Sequence, residues 1–130
     1  MTKEEKEALL QYRLERAYES IKAAEIMHDN GFYIPSMDRI YYSMFYATLA
    51  LLASKQLFAS RHSGVISLFH RGFVKSGIVS PEAAKFLDIA FNLRSKSDYK
   101  DFVTLEESSV KELLKESENC NRGMMLRNLL

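Results

Sequence analysis

Cysteine is nearly missing from this sequence. Cys120 stands alone, which excludes an internal disulfide and a cysteine-built zinc site and fits a reducing, cytoplasmic setting. Proline occurs only 2 times and glycine 5 times in 130 residues, against 47% hydrophobic and 27% charged residues. That is the balance of a folded, helix-rich chain rather than of a disordered tail. The longest uncharged apolar run, Met44 to Ala53, is too short to cross a bilayer. The charged start, Met1 to Glu7, lacks the apolar core of a secretory signal, so neither export nor membrane contact is expected.

Acid is missing from one long stretch. Between Arg39 and Pro81 there is no Asp or Glu, although the whole chain has a net charge of only +1. That stretch carries Arg39, Lys55, Arg61, Arg71 and Lys75 with His62 and His70, while Glu106, Glu107, Glu112, Glu116 and Glu118 crowd the last segment. Either the basic stretch attracts an anion, or the acidic helices lie beside it and neutralise it.

Several chemistries have no motif here. Glycine-rich phosphate loops, a His-x-x-x-His spacing, a nucleophile elbow and paired catalytic carboxylates cannot be found, and Glu25-Ile26-Met27-His28 is a single Glu-x-x-His without the second that a helical metal site needs. No metal or cofactor is therefore expected.

What is present is helical periodicity. Leu10, Leu14, Ala17, Ile21, Ala24 and His28 recur at steps of three and four, predicting an amphipathic helix over roughly residues 3 to 30, stopped by Asn30-Gly31. After Pro35, Ser36 to about Lys55 is apolar or aromatic on nearly every side, as a central helix is. Ser60 is placed to cap a third helix carrying His62, Ile66, Phe69 and Phe73 and ended by Ser76-Gly77. Ser80-Pro81-Glu82 opens a fourth, and Thr104-Leu105-Glu106-Glu107 fits a capping box for a fifth. No strand pattern, repeat or linker competes. The expectation is one all-α domain over 1–130, an antiparallel bundle of about five helices.

Polar residues then interrupt the apolar faces. On the fourth helix Ala83, Leu87, Ala90, Phe91, Arg94 and Asp98 share a sector of about 100°, so Arg94 and Asp98 continue the core stripe. An ion pair four residues apart explains this with a few tenths of a kcal/mol. An arginine held by Asp98 and aimed at a phosphate explains it functionally. Tyr41, Tyr42 and Tyr46 lie on the central helix, with Tyr42 and Tyr46 one turn apart, as core or as ligand contacts. His62 is either structural or, if it meets Arg94 across the bundle, an acid–base group or anion contact. His28 and His70 have weaker claims.

The segments "RIYYSMFYATLALLASK", "SRHSGVISLFHRGFVKSG" and "LRSKSDYKDF", in this order, resemble the HEPN domain in its short stand-alone prokaryotic branch. The resemblance covers about residues 5 to 125. It implies an all-helical bundle, often a homodimer, that works beside a minimal nucleotidyltransferase as a toxin–antitoxin pair. Active branches of the family are metal-independent ribonucleases in which an arginine is followed, after four to six residues, by a histidine. Arg94 matches that arginine, but Tyr99 stands where the histidine is expected, and no histidine follows Arg94 in this chain. A phenol is a poor proton shuttle near neutral pH.

The leading expectation is accordingly a binding module, with Arg94, Asp98, Tyr99, Tyr42, Tyr46 and His62 holding a nucleotide, RNA or the nucleotidyltransferase partner. The alternative is an endoribonuclease toxin with Arg94 and His62 as catalytic candidates. A third is an assembly role for the apolar carboxyl end, Met124 to Leu130.

Overall fold

The computed structural model describes residues 2–99, 111–112 and 114–115, without the side chains of 83, 86 and 93–99. The described chain is helical and forms α1 (Lys3–Asp29), α2 (Tyr33–Ser54), α3 (His62–Phe69) and α4 (Pro81–Tyr99). A π-helical segment, His70–Val74, continues α3 directly. Among the described elements α1 meets only α2, whereas α2 also packs on α3 and α4. The all-α class and the central position of the second helix are as expected. The expected start of a fifth helix at Thr104, the lone Cys120 and the apolar stretch from Met124 all lie outside the described residues. Lys111, Glu112, Leu114 and Lys115 are helical, and Leu114 is buried in the core. No helix among the described residues is long and apolar enough to cross a membrane.

The ends of the helices follow local chemistry. Thr2 caps α1, its hydroxyl accepting the Glu5 N–H at 3.1 Å, and Glu4 and Glu5 complement the positive end of the helix dipole. At the other end Gly31, at φ +83°, reverses the chain. The Gly31 N–H donates to the His28 carbonyl and the Phe32 N–H to that of Met27, which closes the orphaned carbonyls of the last turn. The same pair of bonds ends α2, from Gln56 to Ala53 and from Leu57 to Leu52, but there the left-handed residue is Gln56 at φ +54°. A side chain in that conformation costs about 1–2 kcal/mol.

Two expected boundaries are corrected. α2 begins at Tyr33, so Pro35 sits inside its first turn rather than before it. The missing N–H of proline costs nothing there, because first-turn amides have no intrahelical acceptor. Arg61, not Ser60, occupies the cap position of α3, in extended conformation and with no side-chain cap bond. Pro81 opens α4 as expected.

The α1–α2 seam is built from small groups. Ala17, Ser20, Ile21, Ala24 and His28 form the buried stripe of α1. Ser36 of α2, wholly buried, donates its hydroxyl to the Ala24 carbonyl at 2.8 Å, a contact that only close backbones permit. Arg13 ties the other end by donating to the Leu49 carbonyl at 3.0 Å, and burial pushes its guanidinium down from the ordinary arginine value. Ala24→Leu should therefore overpack the seam. The expected result is a loss of about 1–3 kcal/mol in unfolding free energy, read as a lower urea midpoint at unchanged slope.

Candidate functional site

The site grows out of the core of α2. Tyr41, fully buried, sends its ring among Tyr42, Phe45 and Phe91, with ring centroids 5.3, 5.6 and 5.7 Å away. A buried phenol must still satisfy its hydroxyl. His62, the first residue of α3, does so: its Nδ1 lies 2.9 Å from the Tyr41 hydroxyl. The imidazole also stacks on Phe45 at 4.2 Å and meets the edge of Tyr42 at 6.1 Å. Two faces of protein and one hydrogen bond thus fix a partly buried, titratable ring where α2 and α3 meet. The hydrogen bond constrains which nitrogen carries the proton, since a neutral imidazole that accepts at Nδ1 is protonated at Nε2.

Cations and aromatics surround that ring. Arg39 lies over the Tyr42 ring at 4.8 Å and is oriented by Asp38 at 2.9 Å. Tyr42 reaches Tyr46 one turn on, at 6.2 Å between centroids. Phe91 places α4 against the buried tyrosine, and Arg94 follows it by just under one turn of the same helix. Of the residues singled out from sequence, the structure brings His62, Tyr42 and Tyr46 into one aromatic cluster. Arg94, Asp98 and Tyr99 belong to α4, and their side chains lie outside the described residues.

Two contributors had no candidate site role in the sequence: Phe45 supplies the stacking surface of His62, and Arg39 the nearest described cation to Tyr42. Tyr41, one of the three tyrosines singled out on the central helix, supplies the hydrogen bond to His62. The i,i+4 spacing of Tyr41 and Phe45 was the available signal, since it puts both rings on one side of α2. Nothing local pairs either of them with His62, which lies 21 residues after Tyr41, at the start of the next helix.

The other histidines do other work. His70 Nε2 lies 3.2 Å from Asp88 Oδ1 and joins the π-helical segment to α4. His28 is buried in the α1–α2 seam beside the ring of Tyr33, at 5.5 Å, and its Nε2 has no hydrogen-bond partner among the described residues.

The described chain is thus an all-α bundle in which aromatic residues of the central helix clamp a histidine. The chain belongs to the HEPN domain family, whose model matches residues 10–121. It is similar to a UPF0332 protein of Thermotoga maritima, 40% identical over 114 residues that span 88% of this chain and 86% of the relative. Two proteins of Methanocaldococcus jannaschii named as candidate toxins are also similar. One is 33% identical over 105 residues, 81% of this chain and 71% of its own length. The other is 34% identical over 100 residues, 77% of this chain and 75% of its own.

Tyr41→Phe tests the clamp, because it keeps the ring and removes the hydroxyl. Stability should fall by about 1 kcal/mol, and the nitrogen shifts of the His62 ring in NMR spectra should report a changed tautomer balance. Unchanged His62 shifts would show that the hydroxyl does not set the tautomer.

Proposed function

We propose that this protein is a nucleotide- or RNA-binding module of a toxin–antitoxin-like system, one domain over 1–130, acting in the cytoplasm as a homodimer beside a minimal nucleotidyltransferase. The observation that carries the reading is the clamped imidazole. The Tyr41 hydrogen bond and the Phe45 stack hold His62 at a rim that also bears Tyr42 and Arg39. A base can stack against Tyr42 there, and a phosphate can be met by His62 and by Arg94 of α4. The toxin-candidate names of the two M. jannaschii relatives support the system, and the resemblance of the three sequence segments supports the partner.

RNA cleavage is the second reading, favoured by the fixed orientation of His62. Arg94 would stabilise charge on the scissile phosphate while His62 moved a proton. Against it stands Tyr99, at the position where the family's active branches carry histidine.

Binding is tested by calorimetry with the purified protein and with Arg94→Ala and His62→Ala. Each variant should weaken nucleotide binding about 10- to 100-fold, the value of one charge-assisted phosphate contact. An affinity unchanged by Arg94→Ala removes that residue from the site. RNA left intact by the wild-type protein in metal-free buffer, at concentrations where a known ribonuclease cuts, excludes the cleavage reading. Copurification with the nucleotidyltransferase tests the partner.

A further inference from the structure

The two helices that carry His62 and Arg94 do not pack on one another among the described residues. Each leans on α2, and the π-helical segment that continues α3 is what touches α4. His70 is the first residue of that segment, and its carbonyl accepts the Lys75 N–H at 2.8 Å, the five-residue step of a π turn, a geometry frequent at functional sites. Its Nε2 lies 3.2 Å from Asp88 Oδ1 of α4. Among the described residues no other side-chain hydrogen bond joins the segment to α4.

The same helices are linked a second time, through Tyr41. Its hydroxyl holds His62 at the start of α3, and its ring meets Phe91 of α4 at 5.7 Å. His62 lies about 12 Å before His70 along α3, and Arg94 about 9 Å beyond Asp88 along α4, at the helical rise. The two residues proposed to meet a phosphate therefore stand on two arms that the His70–Asp88 bond joins. Apolar packing does not by itself set the register of those arms. α4 buries Ala84, Leu87 and Ala90, and such burial is non-directional, while α3 starts without a side-chain cap bond. An imidazole N–H on a carboxylate fixes both distance and direction, and Nε2 is such a donor in one neutral tautomer and in the imidazolium alike.

We infer that His70 and Asp88 are positioning residues of the candidate site: their hydrogen bond holds α3 and α4 in the register that lets His62 and Arg94 face one phosphate. This role rests on the nucleotide-binding reading for its ligand and on the fold alone for its geometry. Both side chains are part-exposed, 38% and 43%, so the bond adds little to the stability of the fold. What it can decide is alignment. Binding groups have to be held within about 0.5 Å of their productive places, a tolerance finer than the one that folding demands.

The test measures AMP binding by calorimetry and backbone amide signals by NMR on the full chain, with Asp88→Ala, His70→Leu and His70→Gln, each checked for native circular dichroism. Asp88→Ala removes a negative charge, so the field alone would leave AMP binding unchanged or tighten it. Loss of the tie should instead weaken it roughly three- to tenfold. His70→Leu should weaken it as much, and the double variant Asp88→Ala/His70→Leu no further, because both changes break one bond. His70→Gln keeps an amide donor near the Nε2 position and should recover most of the affinity. The amide signals of His62 and Arg94 should shift in Asp88→Ala and His70→Leu and return toward the wild type in His70→Gln. AMP bound by Asp88→Ala as tightly as by the wild type, or more tightly, overturns the inference, as do unmoved His62 and Arg94 signals. If the wild type itself binds no AMP, the nucleotide reading fails and the amide signals decide the tie: shifted and rescued, it aligns α3 with α4; unmoved, it is a local surface pair.

Discussion

Enclosure of α2 by other helices is the constraint on which the rest of this structure depends. A helix with protein on nearly every side cannot leave its polar groups to water, so each must find a partner within the fold. Ser43 and Thr48 turn back onto the carbonyls of Ile40 and Met44 and stay within α2. Ser36 reaches across to the Ala24 carbonyl, and the Leu49 carbonyl draws Arg13 in from α1. Tyr41 takes His62. The cross-element bonds therefore sit where the packing demands them, and they fix the register of α1 and the entry of α3.

The candidate site is a consequence of that demand. Tyr41 belongs to the core by its ring and to the rim by its hydroxyl, so the residue that satisfies it is held at the rim as well. Phe45 then adds a stacking surface, and aromatic pairs of this kind contribute about 0.5–1.5 kcal/mol beyond the area they bury. Support and recognition are shared by the same side chains. Substitutions at Tyr41, Phe45 and His62 should consequently be non-additive, because they touch one another within a single cluster.

Periodicity made the helices legible, and glycine made the end of α1 legible, because both signals are local. Proline marks the start of α2 only loosely, because the first turn of a helix tolerates it, and the helix begins two residues before Pro35. The cap of α3 slipped by one because extended backbone at Arg61 begins the helix without any side-chain bond. Gln56 in a left-handed conformation carries no sequence signature at all, since it is dictated by the close of α2. At the site, Tyr42, Tyr46 and His62 could be singled out because tyrosine and histidine are conspicuous on an apolar face. Phe45 and Arg39 could not. Their roles come from which ring α3 brings to α2, a long-range fact that one-turn spacing does not contain.

The acid-free stretch from 39 to 81 is not uniform in charge. Two of its basic residues meet an acid from outside it, Arg39 with Asp38 and His70 with Asp88. Lys55 lies over the Phe73 ring at 4.6 Å and has no ion pair among the described residues. Arg61, Arg71 and Lys75 are exposed and have no ion pair among the described residues. Among the described residues the stretch is thus paired at Arg39 and His70 and cationic at Arg61, Arg71 and Lys75, while Glu106, Glu107, Glu116 and Glu118, the acids expected to lie beside it, fall outside the described residues. Arg61 immediately precedes His62, so a positive charge that no described residue pairs stands one position from the clamped imidazole. An anion approaching His62 enters the field of that charge.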